Sequence, residues 1–383
     1  MNYLEILEKL VSFNTISSES NLELIEWIEN YLDQFEVYHE RLSDKDGLPK
    51  ASLIARIGNL AEGGLIFSGH TDVVPVNSQP WTDNPFAMRQ SADKCIGRGV
   101  CDMKGFIACV LAGVPQWAQL SAHLQKPIYF AFSYDEEVGC DKAPAIAKRI
   151  KEMGGGEAWA IIGEPTLMQP VVGQKGIVNI RTVVTGQSAH SSQILHQGVS
   201  AVHEAAKLVT YIEQVMQDLQ EDGELDLQFN VPHSSLHVGM IHGGIAHNVL
   251  ARECYFDWEI RNLPSQTLDS IMARVDAYAD TLTAANPALM IKTEYTTPIV
   301  PGLENRDNMG LLALVHQLLP DAHPECVAYA TEAGQFQEAG YQAIILGPGS
   351  ILQAHQPDEW IAIEQLEQCY QFLLASVKAH CQK

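Results

Sequence analysis

Leu65-Ile66-Phe67-Ser68-Gly69-His70-Thr71-Asp72-Val73-Val74-Pro75 runs from a short apolar strand directly into a histidine and an acid. Side chains alternate along a strand with period two, so His70 and Asp72 leave the carboxyl end of the run Leu65 to Ser68 on the same side. Such ends are where open α/β sheets bind their ligands. Two further apolar runs, Ile128 to Ser133 and Ala158 to Ile162, lie downstream, with a helical stretch from Lys104 to Leu120 among them. This alternation predicts an α/β sheet with helices on its faces.

Towards the N-terminus, Leu4, Leu7, Leu10 and Val11 recur at helical spacing. An acid at position 5 and the lack of a basic leader read as a helix and not a signal peptide. Beyond Gly173 the pattern changes to a strand (Ile177 to Thr185), a long helix (Val199 to Leu219), strands at Leu236 to Met240 and Tyr255 to Arg261, and a helix from Thr267 to Ala284. After Pro301 the α/β style returns, with a helix near Leu311 to Leu319, a strand at Ala343 to Leu346 and a closing helix from Ile361 to Ala379. The expected architecture is a discontinuous domain, residues 1–174 and 300–383, with a mixed sheet flanked by helices. A smaller α+β domain, 175–299, is inserted into it.

The length of 383 residues accommodates two such domains, and 46% apolar against 19% charged residues is a balance that fills a core and excludes disorder. A formal net charge of −23 repels phosphate backbones and anionic lipid, which argues against nucleic-acid and membrane partners. No apolar stretch reaches the roughly 18 residues of a spanning helix. The eight cysteines form no Cys-x-x-Cys pair, as expected of reduced thiols in the cytoplasm.

Five residues could do chemistry together. His70 beside Asp72 suits a metal ligand oriented by a neighbouring acid, although a surface or capping pair has the same sequence. Asp102 lies in the glycine-rich turn Gly97-Arg98-Gly99-Val100-Cys101-Asp102-Met103-Lys104-Gly105, where it reads equally as a helix N-cap. Tyr134-Asp135-Glu136-Glu137-Val138-Gly139 ends a strand with three acids, which either start a solvated helix or need a cation nearby. Two adjacent glutamates also allow one to bind metal while the other transfers protons. Ile162-Gly163-Glu164-Pro165 ends the next strand, and Gln353-Ala354-His355-Gln356-Pro357-Asp358-Glu359 follows the last. His70, Asp102, Glu137, Glu164 and His355 thus fall at strand ends or in glycine-rich turns, a mixed nitrogen and oxygen set suited to Zn²⁺ or Co²⁺.

SGHTDVVP, GRGVCDMKG, DEEVG, GEPT and AHQPDEW occur in an order and spacing that resembles the two-metal M20 peptidase and amidohydrolase family. Within that family SFNTIS, CDMKGFIACVLA, GQSAHSS, FDWEIRNLPS, ATEAG and LGPGSILQAHQPDEW are most similar to the acetylornithine deacetylase branch. The resemblance implies that Asp102 bridges two ions, with His70 and Glu164 on one and Glu137 and His355 on the other. Glu136 would be the general base and Asp72 would orient His70. It implies that the insert is a lid and dimerisation domain, with His190 reaching a partner's active site in a homodimer.

The expected reaction is release of acetate from N2-acetyl-L-ornithine. The nearest alternatives are succinyl-diaminopimelate desuccinylase, another N-acyl-amino acid hydrolase or a dipeptidase, and the furthest is a metal-stabilised binding protein without turnover. Glu at position 164 resembles the deacylases, whereas aminopeptidases tend toward Asp. Arg261 and Asn248 match lid residues that bind substrate, with Arg261 suited to a carboxylate; the proline common shortly after that asparagine is Ala251 here. Glu332 is expected either to pair with the δ-ammonium of ornithine or to cap a helix. Cys101, beside the bridging acid, reads as a buried small residue, with thiolate ligation the alternative.

Overall fold

The computed structural model describes residues 1–382 apart from Leu195, Asp222, Arg306 and Asp307. In chain order the strands are β1 (Tyr38–Ser43), β2 (Ala51–Ile57), β3 (Leu65–His70), β4 (Arg89–Gln90), β5 (Lys94–Ile96), β6 (Ile128–Ser133), β7 (Trp159–Ile162), β8 (Val171–Gln174), β9 (Gly176–Thr185), β10 (Ser235–Gly243), β11 (Glu253–Asn262), β12 (Met290–Tyr295), β13 (Glu325–Val327), β14 (Gln342–Ile345) and β15 (Trp360–Ala362). The α-helices are α1 (Tyr3–Val11), α2 (Leu22–Asp33), α3 (Lys104–Gln119), α4 (Ala143–Ile150), α5 (Ala201–Glu221), α6 (Leu268–Ala285), α7 (Met309–Leu318), α8 (Ala333–Glu338) and α9 (Ile363–His380).

The chain divides into two units. One comprises 1–173, 303–325 and 331–383, and the other 174–302 and 326–330. The short segment 326–330 therefore groups with the insert, where the sequence reading had left it in the first domain.

In the first unit β3 and β6 are buried at every position, as strands covered on both faces must be. They belong to a mixed sheet of order β1-β2-β6-β3-β7-β14-β8-β13. Its centre, β6-β3-β7-β14, is wholly parallel, so four carboxyl ends point the same way. Helix α3 is apolar nearly all round and is buried from Lys104 to Val114, the pattern of a core helix. Its first turn is tied down by Lys104, whose Nζ donates to the Leu10 carbonyl at 3.1 Å and the Phe13 carbonyl at 2.9 Å. The Leu10 carbonyl lies in the last turn of α1 and the Phe13 carbonyl just beyond it, so Lys104 ties the end of α1 to the chain immediately behind Asp102. At the other end of α1, Asn2 accepts from the Leu4 and Glu5 N–H groups while the Glu5 carboxylate accepts from the Asn2 N–H, a reciprocal cap.

The second unit is an antiparallel sheet of order β10-β11-β9-β12. Strand β9 alternates strictly between buried and half-buried positions, the period of a sheet with one covered face. Its core joins Val178, Ile180, Val184, Phe256, Trp258 and Ile260 of the sheet to Leu208, Ile212 and Val215 of α5 and Ile271 and Val275 of α6. Among the described residues no helix is long and apolar enough to cross a membrane.

Candidate metal centre

The four parallel strand ends assemble the site. His70 closes β3, Glu136 and Glu137 follow β6, Glu164 lies two residues beyond β7, and His355 comes on the long segment after β14. Gly163, just before Glu164, must be glycine because a Cβ there would sit 2.0 Å from the Phe106 ring of α3. Asp102 arrives on the turn leading into α3. Its side chain does not cap the helix, whose N-cap is Met103 without a side-chain bond, so the capping alternative is not what the residue does.

Asp102 divides the site into two halves. Its Oδ1 lies 3.0 Å from His70 Nε2, which is also 3.6 Å from Glu164 Oε1. Its Oδ2 lies 3.3 Å from His355 Nε2, and that nitrogen is 3.1 Å from Glu137 Oε2. Ligand atoms of His70, Asp102 and Glu137 lie within 4.8 Å of one another, as do those of His70, Glu136 and Glu164. Glu136 therefore stands within ligand reach of the first half as well as beside it.

The electrostatics fit divalent cations. Burial pushes the Glu164 carboxyl well above the usual carboxylate range, and neighbouring Asp102 adds to it. Burial raises Glu136 in the same way, opposed by His70 and reinforced by Glu137, Glu332 and Asp102. Glu137 is raised by burial and by Asp102, and its Oε1 is buried without a hydrogen-bond partner. Burial acts against Asp102 too, but the His355 and His70 bonds hold it below the usual range. A cluster of carboxylates that repel one another, with an orphaned oxygen and two imidazoles, is a donor set that cations relieve.

The second layer differs from expectation at Asp72. His70 Nδ1 bonds the backbone carbonyl of Asp72 at 2.9 Å, and the carboxylate Oδ1 is farther away, at 3.6 Å. That carboxylate instead accepts from the Glu136 N–H at 3.2 Å, the Glu137 N–H at 3.3 Å and the Ser17 hydroxyl at 2.7 Å. One residue thus holds the imidazole through its main chain and the two-glutamate turn through its side chain. Asp135, at the head of that turn with a left-handed φ of 59°, is paired at 2.7 Å with Lys50.

A profile of peptidase family M20/M25/M40 matches residues 66–379. The chain belongs to this family. Acetylornithine deacetylase of Shigella sonnei (strain Ss046) is 32% identical over 99% of this chain and 98% of its own length. Acetylornithine deacetylase of Myxococcus xanthus is 32% identical over 98% and 96% of the two chains. The aminopeptidase PepT of Bacillus cereus ATCC 10987 has the same fold at a TM-score of 0.77 and 16% identity, covering 98% of this chain and 97% of that one. This M20 chain is accordingly a hydrolase with an α/β domain and a smaller antiparallel-sheet domain.

Glu332 is 1% exposed, with Oε2 at 3.4 Å from the Ser68 hydroxyl, and burial moves its carboxyl up to about 7. It begins α8 but makes no side-chain capping bond. Cys101 is buried, its Sγ lies 3.4 Å from the Ser350 carbonyl, and burial pushes its thiol well above 9. In the second unit His190 is exposed, with Nδ1 on Ser192 at 2.9 Å. Arg261 is held by the Glu259 carboxylate at 2.8 Å and by the Ala328 carbonyl at 3.4 Å, while Asn248 is exposed.

Sequence reasoning missed Cys140, whose thiol lies 3.2 Å from Glu136 Oε1, and Glu359, whose carboxylate holds the turn before Asp102. Both stand in quoted or adjoining motifs, but nothing in a cysteine after an acidic run or an acid in PDEW announces burial.

Proposed function

We propose that this M20 hydrolase cleaves N2-acetyl-L-ornithine to L-ornithine and acetate, as in arginine biosynthesis, using two divalent ions, Zn²⁺ or Co²⁺. The observation that carries the chemistry is the division of Asp102, with His70, itself beside Glu164, at one oxygen and His355, itself beside Glu137, at the other. The two acetylornithine deacetylases that match nearly the full length support the substrate.

When bound, the ions would polarise the amide carbonyl and acidify water near neutral pH. Asp102, His70, Glu164, Glu137 and His355 would hold them. Glu136, with a carboxyl that burial makes more basic than an exposed glutamate, takes the proton of the attacking water and delivers it to the departing amine. Asp72 keeps Glu136 and Glu137 in register by accepting both of their N–H groups. The inserted domain, 175–299, serves as the lid and dimerisation domain of a homodimer, and His190 from the second copy donates to the oxygen that develops negative charge. Arg261 and Asn248 bind the substrate carboxylate and backbone. The chain works in the cytoplasm on a small N-acyl amino acid.

A panel of kcat/KM values tests the substrate. N2-acetyl-L-ornithine should exceed N-succinyl-diaminopimelate and dipeptides by at least about tenfold. A preference for either of the others reassigns the substrate within the same chemistry. Glu332→Gln should reduce the preference for ornithine over neutral acyl-amino acids; an unchanged preference leaves Glu332 as the buried partner of Ser68.

A further inference from the structure

Glu359 is 1% exposed, and the groups bonded to its carboxylate are all donors, while the Asp102 carboxylate nearby adds to its raised pKa. Oε1 accepts from the Cys101 N–H at 2.8 Å and the Asp102 N–H at 3.1 Å. Oε2 accepts from the Gly99 N–H at 3.0 Å and from Arg98 Nη1 at 2.7 Å. Three main-chain donors of one short turn are therefore gathered on one side chain that is distant in sequence. Burial pushes its carboxyl upward, against which Arg98 and the N–H groups of Gly99 and Cys101 favour the ionised form.

The network continues past Arg98, which is itself 1% exposed. Arg98 Nη2 donates to Gln79 Oε1 at 2.6 Å, and its guanidinium lies over the Trp81 ring at 5.0 Å. Trp81 Nε1 donates to the same Gln79 oxygen at 3.0 Å. Gln79 Nε2 then donates to the backbone carbonyl of His355 at 2.9 Å. His355 has a left-handed φ of 60°, a conformation that a β-carbon disfavours and that needs such support. Its side chain is half exposed, so little packing fixes it from outside.

We propose that Glu359 is a positioning residue for the ion half formed by Asp102 Oδ2, Glu137 and His355: one buried carboxylate sets the main chain carrying Asp102 and, through Arg98 and Gln79, the main chain carrying His355. The inference rests on the metal-centre reading above. A glutamine cannot replace this group, because it offers one acceptor oxygen and turns an N–H₂ towards donors. Residues that orient ligands from behind change metal affinity by about 10- to 100-fold when altered. The other half, on His70 and Glu164, shares only Asp102 with this network and should suffer less.

The test is ion affinity on the purified full-length chain, by competition between Co²⁺ and a chromophoric chelator, for wild type, Glu359→Gln and Gln79→Met. Melting temperatures are recorded with and without metal, together with the visible Co²⁺ spectrum. Wild type should take up two ions. Glu359→Gln should hold one with near-normal affinity and the second about 10- to 100-fold more weakly, with an altered Co²⁺ band and a smaller metal-induced rise in melting temperature. Gln79→Met, which leaves the Glu359 contacts in place, should weaken the second ion alone by up to about tenfold.

If Glu359→Gln lowers the melting temperature of the metal-free chain but binds both ions as wild type does, its role is structural and the inference is overturned. If Glu359→Gln does not fold, Gln79→Met decides, and unchanged affinities overturn the inference. A wild-type chain that binds no ion sinks the metal-centre reading and takes this inference with it, an outcome distinct from failure in the variants alone.

Discussion

Replacing Asp72 by asparagine isolates the support of the two-glutamate turn from everything that touches substrate. The carboxylate accepts three bonds, from the Glu136 N–H, the Glu137 N–H and the Ser17 hydroxyl. Asparagine keeps the shape and the backbone carbonyl that meets His70, so the imidazole stays oriented. It has one acceptor oxygen, so one of the two N–H groups loses its partner, while the Ser17 hydroxyl can turn and accept from the new amide. Hydrogen bonds to charged acceptors are worth about 1.5–3 kcal/mol each. The two backbone bonds here, at 3.2 and 3.3 Å, are long, which places the loss near the lower end, at about 2 kcal/mol.

If that free energy is what holds Glu136 in register, kcat should fall by roughly 30-fold, at 1.36 kcal/mol per tenfold. KM should change little, because the substitution leaves the proposed substrate-binding residues Arg261 and Asn248 in place. The assay is ornithine release under saturating Zn²⁺ or Co²⁺, with bound metal measured on the same sample. A kcat within twofold of wild type in a fully metal-loaded Asp72→Asn chain would refute the reasoning. So would a loss carried entirely by KM.

Glu136→Gln should retain both ions and lose about 10²- to 10⁴-fold in kcat, the range of a removed general base, measured by turnover and metal content together. Gly163→Ala forces a Cβ to within 2.0 Å of the Phe106 ring, and overpacking of this kind costs about 1–3 kcal/mol or more, visible as a drop in melting temperature of the metal-free chain. His380, tilted against the Trp159 ring at 4.0 Å between ring centroids, has its pKa lowered from 6.5 to about 4 by burial and by Lys126. The unfolded chain then takes up the proton first, so stability is intact above pH 6.5 and declines as the pH falls from 6.5 towards 4. His380→Gln should flatten that part of the stability curve, and an unchanged acid slope would count against the assignment.

The strands whose ends build the centre were legible because β3, β6 and β7 are continuous apolar runs, which only a sheet covered on both faces requires. The long helices α3, α5, α6 and α9 were legible from their period. β1, with the sequence Tyr-His-Glu-Arg-Leu-Ser, and β12, with Met-Ile-Lys-Thr-Glu-Tyr, were not, because they lie at sheet edges where little burial imposes a pattern. β2, although buried, was hidden by Arg56 near its end.

The site shows the same boundary. Glu136, Glu137 and Glu164 stand at strand ends that the sequence marks and Asp102 in a glycine-rich turn, but the meeting of Asp102 with His355, far apart in the chain, follows from family resemblance and from no local signal. The sequence marks Asp72 as a partner of His70, yet the atom that meets the ring at 2.9 Å is the carbonyl. Sequence names a side chain, and the backbone conformation decides which of its acceptors faces the ring. Arg261 reads from the sequence as suited to a carboxylate, and the Glu259 carboxylate that it meets at 2.8 Å lies two positions away on the same face of β11. The burial of Glu359 within PDEW had no signature at all, since acids in a turn next to proline and glutamine look solvated.

Hydrolysis of N2-acetyl-L-ornithine at the ion centre split by Asp102 must depend on the ions. Its most direct test is a titration of ornithine release against ions added per chain, starting from chelator-stripped protein. Release should be negligible without metal and climb to a plateau at two equivalents of Zn²⁺ or Co²⁺. Ornithine release that survives complete stripping, or none at any loading, would contradict it.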